Sequence, residues 1–363
     1  MHRFGFIALA VAALLFYGYL RLTDAVIYRH VDLELSSLRW LLLSILVLIQ
    51  GTLMTGFVTC VVRARGRIGS RRLWAATLTS ALMFFTLEAA FLFVAQSHNV
   101  GYTLASRIWR QRYWQTNSLG YRDPEHVARA DKKTVFLVGD SFAAGAGSAR
   151  REDRFGDLLA ALEPQFNVLN LGRSGADTVG EYHDLLAHPL TPDILVLQYY
   201  PNDIEGTATR GGWQLPKFTP YADLGPRVAF VVRNSFLMNF VYWQFPHADG
   251  LAYTRFLERA FADEGLLLQH IAELDQFCSY AKARSIPLVV VVFPVLMDLS
   301  ESQKLTERIE ALLADRGVPV VDVAGLVKDL EVGERTANRQ DAHPSARVHA
   351  LVAAALDREL RRL

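Results

Sequence analysis

The chain has 363 residues, a formal net charge of +1 and a hydrophobic content of 51%. This charge excludes a strongly basic nucleic-acid-binding protein, so we expect no nucleic acid among its partners. The two cysteines provide neither a disulfide framework nor a zinc-ligand spacing, and we expect no metal and no cofactor.

Three apolar stretches occupy the first part of the chain, at 4–20, 40–62 and 73–95. A helix needs about 20 apolar residues to cross a bilayer, and the first stretch is at the short limit. We therefore predict a membrane region over 1–96 with three transmembrane helices. Two alternatives are a cleaved signal peptide for the first stretch, although no small-residue cleavage site follows it, and buried helices of a soluble domain.

Arginine distribution predicts the orientation of this region. The linker between the second and third stretches is "RARGRIGSRR", which carries Arg63, Arg65, Arg67, Arg71 and Arg72. The positive-inside rule makes this linker cytoplasmic. Three spans then place the rest of the chain on the outer or periplasmic side of the cytoplasmic (inner) membrane, as part of a multi-pass protein. Glu88 is costly in lipid; we expect a packed structural carboxyl, with a functional role as the alternative.

From about residue 132, short β-rich runs alternate with helical segments. The runs lie at 134–139, 166–171, 193–199, 286–293 and 318–323. Continuous apolar strands between helices predict an α/β domain with a doubly wound, flavodoxin-like, five-stranded parallel sheet. We assign this domain to 132–363, after a connecting segment at 97–131. It contains an aromatic-rich insertion at about 204–262. Three interpretations are open: the insertion covers the substrate site, it contacts the bilayer surface, or it is an ordinary packed helical subdomain.

Polar clusters follow the strands of this predicted sheet and precede its last helix. They are "GDS" at 139–141, "NLGRSGADT" at 170–178, "YYPNDIE" at 199–205 and "QDAHP" at 340–344. Ligands of open α/β sheets bind where the strands end, so the clusters should converge. Together they offer what acyl transfer needs: a nucleophile, a base, a group to orient the base and oxyanion donors.

These four blocks, in this order over 132–361, resemble those of the SGNH hydrolases, also called the GDSL family. The resemblance implies the roles of nucleophile for Ser141 and base for His343. It implies oxyanion donors at the Ser141 and Gly175 amides and the Asn202 side chain. The segment "NSLGYRD" at 117–123 is similar to one that often precedes this domain in membrane-anchored members, but no chemistry follows from it.

The position of the acid departs from the family pattern, which places it three residues before the histidine. Gln340 stands there, and Asp341 lies two residues before His343. We favour Asp341 as the catalytic acid. A Ser–His dyad supported by a backbone carbonyl is one alternative, and Asp322 is the other candidate acid.

The resemblance and the apolar stretches together predict a membrane-anchored serine esterase. It would remove acyl groups, acetyl among them, from an acylated glycan or lipid of the cell envelope. One alternative is an O-acyltransferase that uses the same site with a sugar hydroxyl as acceptor. That reaction would require a membrane partner to supply the acyl donor. A non-catalytic envelope-binding module is a further alternative.

Overall fold

The computed structural model of the chain describes residues 86–88, 90–91, 93–245 and 249–362. The apolar stretches at 4–20 and 40–62, and most of the one at 73–95, lie outside the described residues. Among the residues that are described, no helix has both the length and the apolar character needed to cross a membrane.

The chain divides into two compact units. The small unit contains residues 101–111 and 219–246 together with the residues before Ser97. The sheet unit contains residues 97–100, 112–218 and 247–363. The predicted insertion is thus shared between the two units, and the domain boundaries predicted from the sequence remain predictions.

The sheet unit is built on five parallel strands. They are β1 Lys133–Val138, β2 Phe166–Asn170, β3 Ile194–Tyr199, β4 Leu288–Val292 and β5 Val320–Asp322. Their order is β2-β1-β3-β4-β5. In the register of the sheet, Val135 of β1 pairs with Val168 of β2 and with Ile194 of β3. The chain moves outward in both directions from β1, which confirms the predicted doubly wound sheet.

Helices connect the strands of the sheet, and further helices lie before β1 and after β5 in the chain. Those with defined bounds are α1 Leu104–Tyr113, α2 Phe155–Leu162, α3 Thr178–Ala187, α4 Ile204–Arg210, α5 Pro226–Asn234, α6 Phe236–Tyr242, α7 Asp249–Ala262, α8 Glu264–Arg284, α9 Leu299–Asp315, α10 Val323–Val327, α11 Val332–Arg335 and α12 Ala346–Leu360. The start of α3 follows from Asp177, whose side chain accepts a hydrogen bond from the Gly180 amide at 3.0 Å. Aspartate at this position satisfies an amide that the helix itself leaves without a partner.

The sheet has an apolar core on each face. Successive residues of a strand point to opposite faces, so Phe136 belongs to the core under α3, α8 and α9. Val135 belongs to the opposite core, under α2, α10 and α12. Both faces are covered, which explains why the strands read as continuous apolar runs rather than alternating ones.

A buried carboxylate joins the parts of the small unit. Glu88 is 1% exposed and accepts hydrogen bonds from Ser235 Oγ at 2.9 Å and from the amides of Phe236 at 2.8 Å and Leu237 at 2.9 Å. These amides begin α6, where an anion is favoured by the unpaired N–H groups and the helix dipole. The expected structural role of Glu88 is therefore confirmed. Ser235 also separates α5 from α6, so residues 226–242 form helices of nine and seven residues.

A short hairpin precedes the last helix of the sheet unit. Strand β6 at Thr336–Asn338 pairs antiparallel with β7 at Asp341–Pro344. The sequence pattern predicts no strand in this stretch. Strands of three and four residues that include a proline carry too little periodic pattern to be read from sequence. The hairpin matters for the site because β7 carries both Asp341 and His343.

Candidate active site

Ser141 lies directly after β1, where hydrogen bonds hold the turn. The Asp140 carboxylate accepts from the Phe142 amide at 2.8 Å. Gln198 Oε1, at the end of β3, accepts from the amides of Asp140 at 3.0 Å and Ala143 at 2.9 Å. Sequence reasoning did not identify Gln198, although it is the one amide side chain in the strand "ILVLQY". Residues 142–149, called the nucleophile loop below, follow this turn.

The structure brings Ser141, His343 and Asp341 into one hydrogen-bonded line. Ser141 Oγ lies 2.8 Å from His343 Nε2, and Asp341 Oδ1 lies 2.5 Å from His343 Nδ1. Residues two apart on a strand point to the same side, so β7 directs the carboxylate and the imidazole together. The two-residue spacing that departs from the family pattern is thus accommodated by extended backbone. A base near a hydroxyl, itself oriented by a carboxylate, is the arrangement that activates a serine.

Electrostatics at the site favour the charged forms of the acid and the base. Burial lowers the pKa of His343, but the Asp341 carboxylate and then Asp140 outweigh it and raise this pKa above the ordinary histidine value. Burial raises the pKa of Asp341, but the charge of His343 and hydrogen bonds from His343 and Ser97 hold it below the usual carboxyl range. The imidazolium that forms when His343 takes a proton is therefore stabilised.

Ser97 supports the acid from the other side and was not predicted from the sequence. Its side chain hydrogen-bonds to Asp341. Asn338 Nδ2 in turn donates to Ser97 Oγ and to Ser97 O, both at 3.1 Å. These contacts join residues more than 200 positions apart in the chain, so no local motif could have indicated them.

The alternative acid Asp322 has a different role. Its side chain is the N-cap of α10 and accepts from the Gly325 amide at 3.1 Å. Residue 322 is also exposed. Local helix capping accounts for this carboxylate, as expected for aspartate directly before a helix.

The predicted oxyanion donors lie at the same strand ends. Gly175 is exposed in the turn after β2 with φ of 79°, a conformation that favours glycine. Asn202 lies in the 3₁₀ turn Pro201–Asp203 after β3, and its side chain opposes the rise that burial causes in the pKa of Asp140.

Two further carboxyl groups lie buried near this edge of the sheet. Burial first, and then the charges of nearby carboxylates, raise the pKa values of Glu181 and Asp203 well above the usual range. Both shifts favour the protonated, neutral form of these carboxyl groups. In the part of the chain that the structure describes, no group of three or more His, Cys, Asp or Glu residues could hold a metal ion.

Comparison with known proteins identifies the family. The profile of the GDSL-like Lipase/Acylhydrolase family matches residues 137–351, which include Ser141, Gly175, Asn202, Asp341 and His343. The chain belongs to this family. As a GDSL acylhydrolase it is a serine hydrolase that acts on ester bonds. The SGNH/GDSL resemblance found in the sequence is confirmed at the level of the family.

Several solved structures match part of this acylhydrolase. A G-D-S-L lipolytic protein from Veillonella parvula is 14% identical with a TM-score of 0.38, over 63% of this chain and 99% of its own. Phospholipase A1 from Streptomyces albidoflavus is 16% identical with a TM-score of 0.39, over 62% and 99%. A lipase/acylhydrolase from Enterococcus faecalis is 17% identical with a TM-score of 0.37, over 63% and 96%. No curated protein sequence matches this acylhydrolase.

Changing Asn202 to alanine should lower kcat of the acylhydrolase by about 10²–10³-fold, because loss of one oxyanion donor typically has this cost. The KM for a small ester should change little, since the donor acts mainly on the charge of the transition state. Steady-state kinetics with p-nitrophenyl acetate measure both constants, and the melting temperature shows whether the fold is intact. A well-folded N202A enzyme with the wild-type kcat would exclude Asn202 from the oxyanion site.

Proposed function

We propose that this acylhydrolase is a membrane-anchored serine esterase that removes acyl groups, acetyl among them, from a glycan or lipid of the cell envelope. Ser141 attacks the ester carbonyl while His343 takes its proton. Asp341 holds the imidazole tautomer, and the Ser141 and Gly175 amides and the Asn202 side chain stabilise the oxyanion. His343 then returns the proton to the leaving alcohol, and water releases the acyl group in a second cycle.

One observation carries the chemical part of this proposal. The line from Asp341 through His343 to Ser141, with distances of 2.5 and 2.8 Å, is the geometry that a serine esterase requires. The membrane part is supported by the three apolar stretches of the sequence and by the arginine-rich linker at 63–72. The envelope substrate is proposed because this topology puts the catalytic domain outside the cytoplasmic membrane.

The esterase assignment is tested with the full chain in detergent micelles. We expect hydrolysis of p-nitrophenyl acetate and butyrate, and release of acetate from an O-acetylated polysaccharide. Ser141→Ala is the matched control, because it removes one oxygen from the site. If the wild-type enzyme cleaves the nitrophenyl esters but no acylated glycan or lipid, the proposed substrate class is wrong and the catalytic assignment survives.

The same experiment separates hydrolysis from transfer. With a sugar oligomer present in excess, an esterase releases free acetate, whereas an O-acyltransferase produces an oligomer that is heavier by one acetyl group. Mass spectrometry of the oligomer distinguishes these products. Acetylated oligomer as the main product would replace the esterase proposal by the transferase and would imply a membrane partner that supplies acyl groups.

The proposed topology has its own test. In cells that carry the full chain, a membrane-impermeant thiol reagent should label a cysteine introduced at an exposed position of the sheet unit, such as Arg150. A cysteine introduced at Arg67, in the proposed cytoplasmic linker, should react only after the cells are permeabilised. Labelling of both positions in intact cells, or of neither, would contradict the proposed orientation.

A further inference from the structure

The segment "NSLGYRD" at 117–123 has no role in the chemistry described so far, yet its backbone is tightly organised. The Asn117 side chain accepts hydrogen bonds from the amides of Leu119 and Tyr121, both at 3.0 Å. The Asn117 amide also donates to the Tyr121 carbonyl at 2.8 Å. These bonds close a turn that directs the next residue, Arg122, into the interior of the sheet unit.

Arg122 is 3% exposed, and its guanidinium group hydrogen-bonds to backbone carbonyls from two separate segments of the chain. Its hydrogen bonds to carbonyl oxygens are Nε to Tyr113 at 3.0 Å, Nη1 to Gly145 at 2.5 Å and to Ala144 at 3.3 Å, and Nη2 to Ser148 at 2.7 Å and to Ala149 at 3.4 Å. Four of these five carbonyls belong to the nucleophile loop. A planar guanidinium with donors in fixed directions can hold such a loop in one shape, which a lysine ammonium cannot.

A second buried arginine fixes Arg122 in turn. Arg154 is fully buried and donates to the Arg122 carbonyl, and its Nη2 lies 2.9 Å from Asp123 Oδ1. Burial and the nearby charge of Arg154 lower the pKa of Arg122 to about 10. Arg122 therefore remains a cation at neutral pH, although its surroundings oppose the charge.

The nucleophile loop is hydrogen-bonded to Ser141 and lies close to His343 and Asp341. The Ala146 amide donates to the Ser141 carbonyl at 2.8 Å. Gly147 lies between the clamped carbonyls of residues 145 and 148, and a Cβ there would come within 3.2 Å of His343 Cβ and 3.6 Å of Asp341 Oδ2. A shift of this loop would therefore move the nucleophile and press on the base and the acid together.

We propose that Arg122 is a positioning residue, which holds the nucleophile loop in the shape that aligns Ser141 with His343. The proposal rests on the assignment of Ser141 as nucleophile. Arg122 touches no reacting atom; it acts through the carbonyls of residues 144, 145, 148 and 149. It thereby gives the segment at 117–123 a role in catalysis.

The test uses the full chain in detergent micelles and two readouts, kcat for p-nitrophenyl acetate and the rate at which a fluorophosphonate probe labels Ser141. Misplacement of a reacting group by about 1 Å can reduce a rate about 10²-fold. Arg122→Ala should lower kcat and the labelling rate together by about this factor, with little change in KM. Added ethylguanidinium should restore part of both rates, because it can occupy the space of the missing side chain.

Controls separate positioning from loss of stability. Leu313→Ala removes a buried side chain of α9 on the other side of the sheet and should lower the melting temperature while keeping the labelling rate. Arg122→Lys keeps the charge and serves as the second variant if Arg122→Ala does not fold; its kcat should fall at least about tenfold, since a lysine cannot replace the fork of donors.

The proposal is overturned if folded Arg122→Ala, or Arg122→Lys in its place, labels and turns over within about threefold of the wild type. It is also overturned if ethylguanidinium fails to raise both rates of folded Arg122→Ala. Failure of the catalytic assignment looks different: the probe would then label Ser141→Ala as fast as the wild type, whatever residue stands at position 122.

Discussion

Replacing Ser141 with alanine should abolish nearly all ester hydrolysis, lowering kcat for p-nitrophenyl acetate by about 10⁴–10⁶-fold. The variant loses the only oxygen that lies 2.8 Å from His343 Nε2 among the described residues. The oxyanion donors and the substrate site remain, so KM should stay near that of the wild type. The residual rate should come from those donors acting on attack by water.

The fold should tolerate this change, because the backbone hydrogen bonds of the turn come from residues 140, 142 and 143 rather than from the serine hydroxyl. Ser300→Ala is a suitable control, since Ser300 is an exposed serine of α9 whose hydroxyl bonds only to Asp298 among the described residues. If Ser141→Ala hydrolysed the ester at the Ser300→Ala rate, Ser141 would not be the nucleophile.

Replacing Asp341 with asparagine should lower kcat by about 10⁴-fold, because an amide near Nδ1 no longer holds the imidazole in the tautomer that accepts the serine proton. The pH profile should change as well. The active base is neutral His343, so kcat/KM falls as pH drops through the pKa of His343. The Asp341 carboxylate raises this pKa. Its removal should therefore move the acidic limb of the profile to lower pH.

The matched control is Asp322→Asn, the same change at the other carboxylate considered from the sequence. Asn and Asp are nearly equivalent as helix N-caps, so this variant should keep both the rate and the stability of the wild type. Full activity of Asp341→Asn with an unshifted acidic limb would leave a Ser–His dyad as the working site. A loss of rate in Asp322→Asn alone would instead identify Asp322 as the acid.

The five-stranded parallel sheet followed from local pattern. The predicted run 134–139 and the observed β1 at Lys133–Val138 differ by one residue at each end. Long apolar runs between helices leave few alternatives to a covered parallel sheet. Convergence of Ser141 and Asn202 follows from that sheet, because β1 and β3 end at one edge, whereas His343 lies on β7 of the separate hairpin.

Interactions between distant residues were not predictable in the same way. Arg122 reaches carbonyls 22–27 positions further along the chain, and carbonyls have no side-chain signature. Glu88 was recognised as costly, but its partners at 235–237 lie almost 150 positions away. The role of Gln198 was not predicted, because a single polar residue in an apolar strand carries no pattern that marks it as functional. Each of these side chains hydrogen-bonds to backbone groups. The sequence gives no signal of which backbone groups require a side-chain partner.

The strand that carries Asp341 and His343 imposes a parity rule on this site. On extended backbone, an acid placed an even number of residues before the histidine shares its face, and one placed an odd number before it points away. A single inserted residue would therefore send the carboxylate to the opposite side of the hairpin rather than merely lengthen its reach. Interconversion with the three-residue spacing usual in the family thus requires the backbone to change from strand to turn, and not only a one-residue insertion.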